Sequence, residues 1–189
     1  MVAWSSLADA PAITLHGERL ASAIVKRVKP LENREFKING WVWIHAAKAK
    51  DHNHHAAIVG AHTTECPENP ALCGCIIGAA HFCKQISVDD AAADERLRPW
   101  TFGPKCSLID DAIILDTPVP ARGSLSLWTK YLPYGELRVA FQKTARASAA
   151  QQLRPSKPTF DEMPLTRVPI DEATRMAIRA ALRHANDLR

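Results

Sequence analysis

Residues 71–88, "ALCGCIIGAAHFCKQISV", form the longest apolar run in the chain, closed by Pro70 on one side and Asp89 on the other. The run is interrupted by polar groups and falls short of the ~18 or more uninterrupted apolar residues that cross a bilayer. Its glycines and its Ile, Cys and Phe content predict one long buried strand rather than a helix. A chain organised around such a strand must supply neighbours on both sides of it, so a sheet with covered faces is the first constraint.

The neighbours are legible before and after it. "AITLH" (residues 12–16) predicts a short strand. "GERLASAIVKRV" then sets Leu20, Ile24 and Val28 four residues apart, one face of a helix. Pro30 ends that helix, because the residue before a proline is driven toward extended geometry. A strand is predicted from Leu31 to Phe36, then a turn at Asn39-Gly40, a strong hairpin signal, and a returning strand in "WVWIHA". Residues 49–70 predict a long excursion holding a short helix, and residues 89–104 a surface loop. Two further strands are expected at Ser107–Leu115 and Gly123–Tyr131, joined through Pro118 and Pro120.

After Pro133 helix formers dominate. "YGELRVAFQKTARASAAQQL" predicts one helix, residues 154–169 a proline-rich linker, and "IDEATRMAIRAALRHANDL" a second helix capped by Asp171. The expected organisation is an N-terminal tail (1–11), a small mixed β-barrel domain (12–132), and a helical C-terminal extension (133–189). The fold class is α+β.

Charge is unevenly spread over the 189 residues: net +4 over 1–50, −4 over 51–100, and +2 in each of the two remaining segments. Basic ends around an acidic middle suit an anionic ligand held by the first and last segments. An odd count of five cysteines, with no basic n-region or apolar leader at the N-terminus, predicts a protein of a reducing compartment, the cytoplasm first and the nucleus left open.

The most pointed feature is "KPLENR", which sets Lys29, Glu32 and Arg34 just ahead of the Trp41-Val42-Trp43-Ile44 core strand. In an extended segment Glu32 and Arg34 share a face, and Lys29 at the helix-to-strand corner can reach it. A carboxylate between two cations stays ionised, and the remaining positive charge can hold an anion. An ordinary surface salt bridge is the competing explanation. His45 and Lys48 leave the end of the tryptophan strand, and Arg175, Arg179 and Arg183 form a basic stripe on the last predicted helix. Cys66, Cys73, Cys75 and Cys83 lie among many histidines, but only Cys73-Gly74-Cys75 approaches the paired spacing of zinc ligands, so no metal site is expected. "DHNHH" (residues 51–55) predicts a solvated helix end.

Five stretches, "ITLHGERLASAIVKRVKPLENREF", "GWVWIHAAKAK", "CGCIIGAAHF", "PWTFGP" and "PVPARGSLSLW", occur in an order that resembles the ASCH domain, a branch of the PUA-like superfamily of small barrels. The resemblance spans residues 12–132. Lys29, Glu32 and Arg34 fall on the family's charged motif, with Val28 where glycine is usual. The resemblance implies a cleft between helix and sheet lined by Lys29, Glu32 and Arg34, with His45, Lys48 and Arg122 adding to it and Trp100 capping a base. It implies RNA, another nucleic acid or a modified nucleoside as partner. A ribonuclease or an acetylcytidine-type amidohydrolase using Lys29, Glu32 and Arg34 is the enzymatic alternative, and a protein-interaction module through the C-terminal helices a further one. Glu32 stands where the amidohydrolase pattern has a threonine, and His81 or a neighbour where it has a glutamate, which weakens amide hydrolysis. No cofactor is implied, apart from a divalent ion in the nuclease case.

Overall fold

The computed structural model describes residues 2–34, 37–49 and 65–152, with side chains to residue 149. The excursion between 50 and 64 with its "DHNHH" cluster, the linker at 154–169, and the last helix with its arginine stripe lie outside the described residues. Strands β1 (Ala12–Leu15), β2 (Leu31–Asn33), β3 (Gly40–Ala46), β4 (Cys75–Ser87), β5 (Lys105–Pro120) and β6 (Leu127–Trp128) form one sheet in the order β2-β5-β4-β3-β1-β6. Helices α1 (Glu18–Val25), α2 (Val88–Ala93) and α3 (Tyr134–Gln152) complete the α+β fold. β1 and β3 run parallel and every other pair is antiparallel. The mixed sheet curls into a half-barrel rather than closing completely. Among the described residues no helix is long and apolar enough to cross a membrane.

The long apolar run is β4, paired on both sides along most of its length. Its faces do not alternate strictly. Register shifts near Ile76 and again at His81–Lys84 turn the strand, so Ile76 and Ala79 pack on one face while Ile77, Ala80 and Phe82 pack on the other. The row of 73, 75, 77, 79, 81 and 83 that strict alternation predicts is broken there. Gly78 sits at the first shift because nothing larger fits: a Cβ would come within 2.1 Å of the Ile113 carbonyl oxygen.

Both faces of the sheet are covered. In β3, Val42, Ile44 and Ala46 join Ile13, Leu15, Phe82 and the α1 residues Leu20 and Ile24 in the barrel-side core. Trp43 points the other way and meets Ala12, Leu115, Val119, Trp128, Leu137 and Phe141. α3 packs onto the sheet through Leu137, Ala140 and Phe141. The Asp116 amide donates to the hydroxyl of buried Thr144, which ties the outer edge of β5 to this helix. The first residues join the same core. Trp4 stacks at 6.2 Å on Trp43 and 5.8 Å on Phe141, and the Trp43 indole donates to the Leu7 carbonyl.

Three other expectations change. Asn39-Gly40 leads directly into β3, with Gly40 at φ +85, and β2 and β3 do not form a hairpin, because β2 pairs with β5. Pro118 and Pro120 stay inside a single 16-residue β5. Prolines are tolerated there because β2 covers only Cys106–Leu108 of β5, leaving the later edge without a ladder to break. The expected loop at 89–104 holds α2, whose Ser87 hydroxyl caps the Asp90 amide.

Since Leu137 is fully buried between α3 and the sheet, Leu137→Ala should cost about 2–5 kcal/mol in urea denaturation. A loss below about 0.5 kcal/mol would mean that α3 is a dispensable appendage.

Candidate functional site

The site begins at the exit from α1. Arg27 adopts the left-handed conformation (φ 60), and the Lys29 amide folds back to the Ala23 carbonyl at 2.9 Å. This turn sends the Lys29 side chain inward, where it is 1% exposed. Pro30 then starts the pairing with β5, and its carbonyl accepts from the Ile109 amide. On β2, Glu32 stands opposite Ser107 and is 6% exposed. Its carboxylate bridges two cations: Lys29 Nζ at 2.5 Å from one oxygen and Arg34 Nε at 3.0 Å from the other. Arg34 donates onward through Nη2 to the Thr14 carbonyl of β1 at 2.8 Å. β2 and β1 stand on opposite sides of the sheet order, so this chain of charges spans the open side of the half-barrel.

Two consequences follow for the roles drawn from the sequence. Lys29 and Glu32 are interior groups, and only Arg34 carries the network to a surface. A buried pair of this kind is costly to break, because the survivor is left charged without a partner. Glu32→Gln should therefore destabilise the fold by about 3–5 kcal/mol. Lys29→Met combined with Glu32→Leu should lose less than Glu32→Gln alone in the same denaturation series. A Glu32→Gln protein of unchanged stability would contradict the structural role.

Arg34 opens onto a cavity of about 850 Å³ at the carboxyl ends of the parallel strands β1 and β3. Thr14 and His16 enter it from β1 and its end, His45, Ala47 and Lys48 from β3 and its end, and Gly74 from the start of β4. The segment Pro120–Leu125 forms the remaining wall. Arg34, Lys48 and Arg122 line it, and among the described lining residues there is no carboxylate.

The floor is a cross-strand pair, since Thr14 and His45 face one another in the β1–β3 register. The Thr14 hydroxyl oxygen accepts from the Ser124 amide at 3.2 Å and from the Trp128 indole at 3.1 Å. His45 Nε2 lies 3.1 Å from the Ala121 carbonyl, which can only accept, so that nitrogen carries the proton. Nδ1 is buried with no hydrogen-bond partner among the described residues. Burial pushes the imidazole below its ordinary range, with the nearby Ala121 and Gly74 carbonyls acting in the opposite direction. Gly123 closes the floor. A Cβ there would fall 2.6 Å from His45 Cε1 and 2.9 Å from Thr14 Oγ1, so only glycine lets the wall lie against this pair.

The cavity thus brings together Arg34, His45, Lys48 and Arg122 of the residues singled out in the sequence. Lys29 and Glu32 stand behind Arg34. Trp100 does not reach the cavity: it is 4% exposed, packs in the barrel-side core, and its carbonyl accepts from Asn33 Nδ2. Thr14, His16, Gly123 and Ser124 were not singled out. Thr14 enters only through the parallel pairing of β1 with β3, which joins segments about 30 residues apart in sequence and leaves no local spacing to detect. Among the described residues, no three His, Cys, Asp or Glu side chains converge as metal ligands would.

The His45 environment sets a pH dependence. Its folded-state pKa lies below the unfolded value, so the stability it contributes is complete above about pH 6.5. That contribution is lost as pH falls through the lowered folded-state value. The stability difference between the wild type and His45→Gln should shrink as pH is taken down from neutral in a urea series. A difference independent of pH would show that His45 does not titrate out of a neutral, buried state.

No protein-family model and no curated protein matches the sequence. Among solved structures the chain is similar to the crystal structure of ASCH from Zymomonas mobilis, with 16% identity and a TM-score of 0.42 over 71% of this chain and 95% of that one. A serine-to-alanine variant of that protein gives 16% identity and a TM-score of 0.41, over 71% and 96%. A tyrosine-to-phenylalanine variant gives 17% and 0.39, over 69% and 96%.

Proposed function

We propose that the protein is a nucleic-acid-binding module that takes RNA, with a phosphate seated among Arg34, Lys48 and Arg122 and a nucleotide in the cavity they line. The observation that carries this is the lining itself, three cations and, among the described residues, no carboxylate around about 850 Å³. A volume of that size suits one nucleotide-sized group. The positive charge left over after Glu32 is set against Lys29 and Arg34 suits a phosphate more than a neutral solute, and Arg can engage phosphate oxygens in a two-pronged contact. The two polar groups of the floor, the Thr14 hydroxyl and the neutral His45, are short-range groups of the kind that orient a base or sugar rather than attract it.

Binding is favoured over turnover by the same geometry. The hydrolase alternatives drawn from the sequence require Lys29 and Glu32 to meet a substrate, and both side chains are buried and paired behind Arg34. The protein-interaction alternative rests on the C-terminal helices, the last of which lies outside the described residues, and the cavity does not bear on it.

The test is anisotropy of a labelled single-stranded RNA across a salt series, with the same samples run on a denaturing gel to detect cleavage. Affinity should fall steeply as salt rises, and the RNA should stay intact. Lys48 and Arg122 are exposed, so Lys48→Ala and Arg122→Ala should leave the fold unchanged. Each should flatten the log–log salt slope by about 0.7 for every phosphate the variant no longer neutralises. RNA that does not bind even at about 50 mM salt, or a slope unaffected by both variants, would reject the proposal.

A further inference from the structure

We infer that the binding surface continues beyond the cavity onto Tyr131, whose ring is a stacking platform for the base next to the one in the cavity, so that the ligand is single-stranded and at least two nucleotides long. This rests on the proposed nucleic-acid function and extends it to a second subsite. Three observations converge on Tyr131. The ring is 57% exposed, although most large side chains of this region are packed away. Two cations address it, Arg122 with Cζ at 5.9 Å from the ring centroid and Lys130 with Nζ at 4.9 Å. Its backbone is left-handed at φ +72, an uncommon conformation for a bulky aromatic residue.

The local chain explains how that conformation is held. Trp128 and Leu132 on either side are buried, and the Leu132 amide bonds the Thr129 carbonyl at 3.2 Å. With both anchors fixed, the left-handed residue between them is turned outward. Outward placement leaves the ring more than half exposed beside a core that takes Trp128 and Leu132. Arg122 connects the two subsites, since it lines the cavity and also lies over the Tyr131 ring. Two like charges against one small ring repel each other, and a phosphate placed between them removes that repulsion. A phosphate at Arg122 joins one nucleotide in the cavity to a neighbour whose base can lie on the ring. Such stacking is tolerant of base identity, because every base offers a π-face. A duplex cannot use the platform, since its bases already stack on one another.

The experiment compares a labelled mixed-sequence hexanucleotide with the corresponding mononucleotides, titrated into the full chain and its variants. Tyr131→Asn tests the ring, because asparagine tolerates the left-handed backbone without offering an aromatic face. It should weaken hexanucleotide binding about tenfold and leave mononucleotide binding unchanged, while Tyr131→Trp should retain or improve the wild-type affinity. A 2-aminopurine next to the anchored nucleotide should be quenched by the wild type and less so by Tyr131→Asn. Equal hexanucleotide affinity for wild type and Tyr131→Asn, with Arg122→Ala still impaired, would overturn the platform and leave the cavity intact. Failure of the wild type to bind either probe would instead remove the nucleic-acid function on which the platform rests.

Discussion

The structure depends on a single buried carboxylate. Glu32 sits between Lys29 and Arg34, and through Arg34 it joins the end of β2 to the backbone of β1 across a side of the half-barrel that, among the described residues, no strand ladder closes. A closed barrel would join its margins with backbone hydrogen bonds. Here β2 is three residues long and β6 two, too short to meet and pair, and side-chain charge takes over part of that work. The exchange carries a desolvation cost that apolar packing would avoid. It also has a consequence that apolar packing lacks: the outermost member of the network delivers a guanidinium to the cavity in one orientation. The charge that stabilises the scaffold and the charge that faces the cavity are parts of one chain of hydrogen bonds.

That dual role explains why the charged motif could be located from the sequence and its geometry could not. Spacing places Lys29, Glu32 and Arg34 within reach of one another, and they are in contact. It cannot give depth. Whether a lysine at a helix-to-strand corner points out or in depends on the left-handed turn at Arg27, and nothing in the residue type of an arginine announces that conformation. Alternation along an extended segment puts Glu32 and Arg34 on one face, and it leaves open which face looks inward.

Elements whose signal is local were legible. The four-residue spacing of Leu20 and Ile24 lies on the buried side of α1, the apolar run is β4, and the alanine-rich segment after Pro133 is α3. Failures came where a distant partner decided the outcome. Asn39-Gly40 puts a left-handed glycine at the start of β3, but β2 finds β5 instead of β3, so the signal produces no hairpin. Pro118 and Pro120 end a strand only if it has neighbours on both sides, and β5 has none on its outer edge there among the described residues. The alternation that lined up Cys73, Cys75 and Cys83 assumed an unbroken pleat, which the shifts along β4 remove.

Trp100 and Tyr131 show the same limit at the site. Tryptophan is the stronger stacking group, so an exposed loop tryptophan is the natural choice from sequence for a base cap. Trp100, however, ends a 3-10 turn whose carbonyl is held by Asn33, and the ring is drawn into the core. Tyr131 has the weaker residue-type signal and the better position, because the buried residues beside it and its left-handed backbone leave the ring nowhere else to go. Residue type sets how strongly an aromatic can stack. Whether it is available to do so is decided by the anchors on either side, and in this chain those anchors are Trp128 and Leu132.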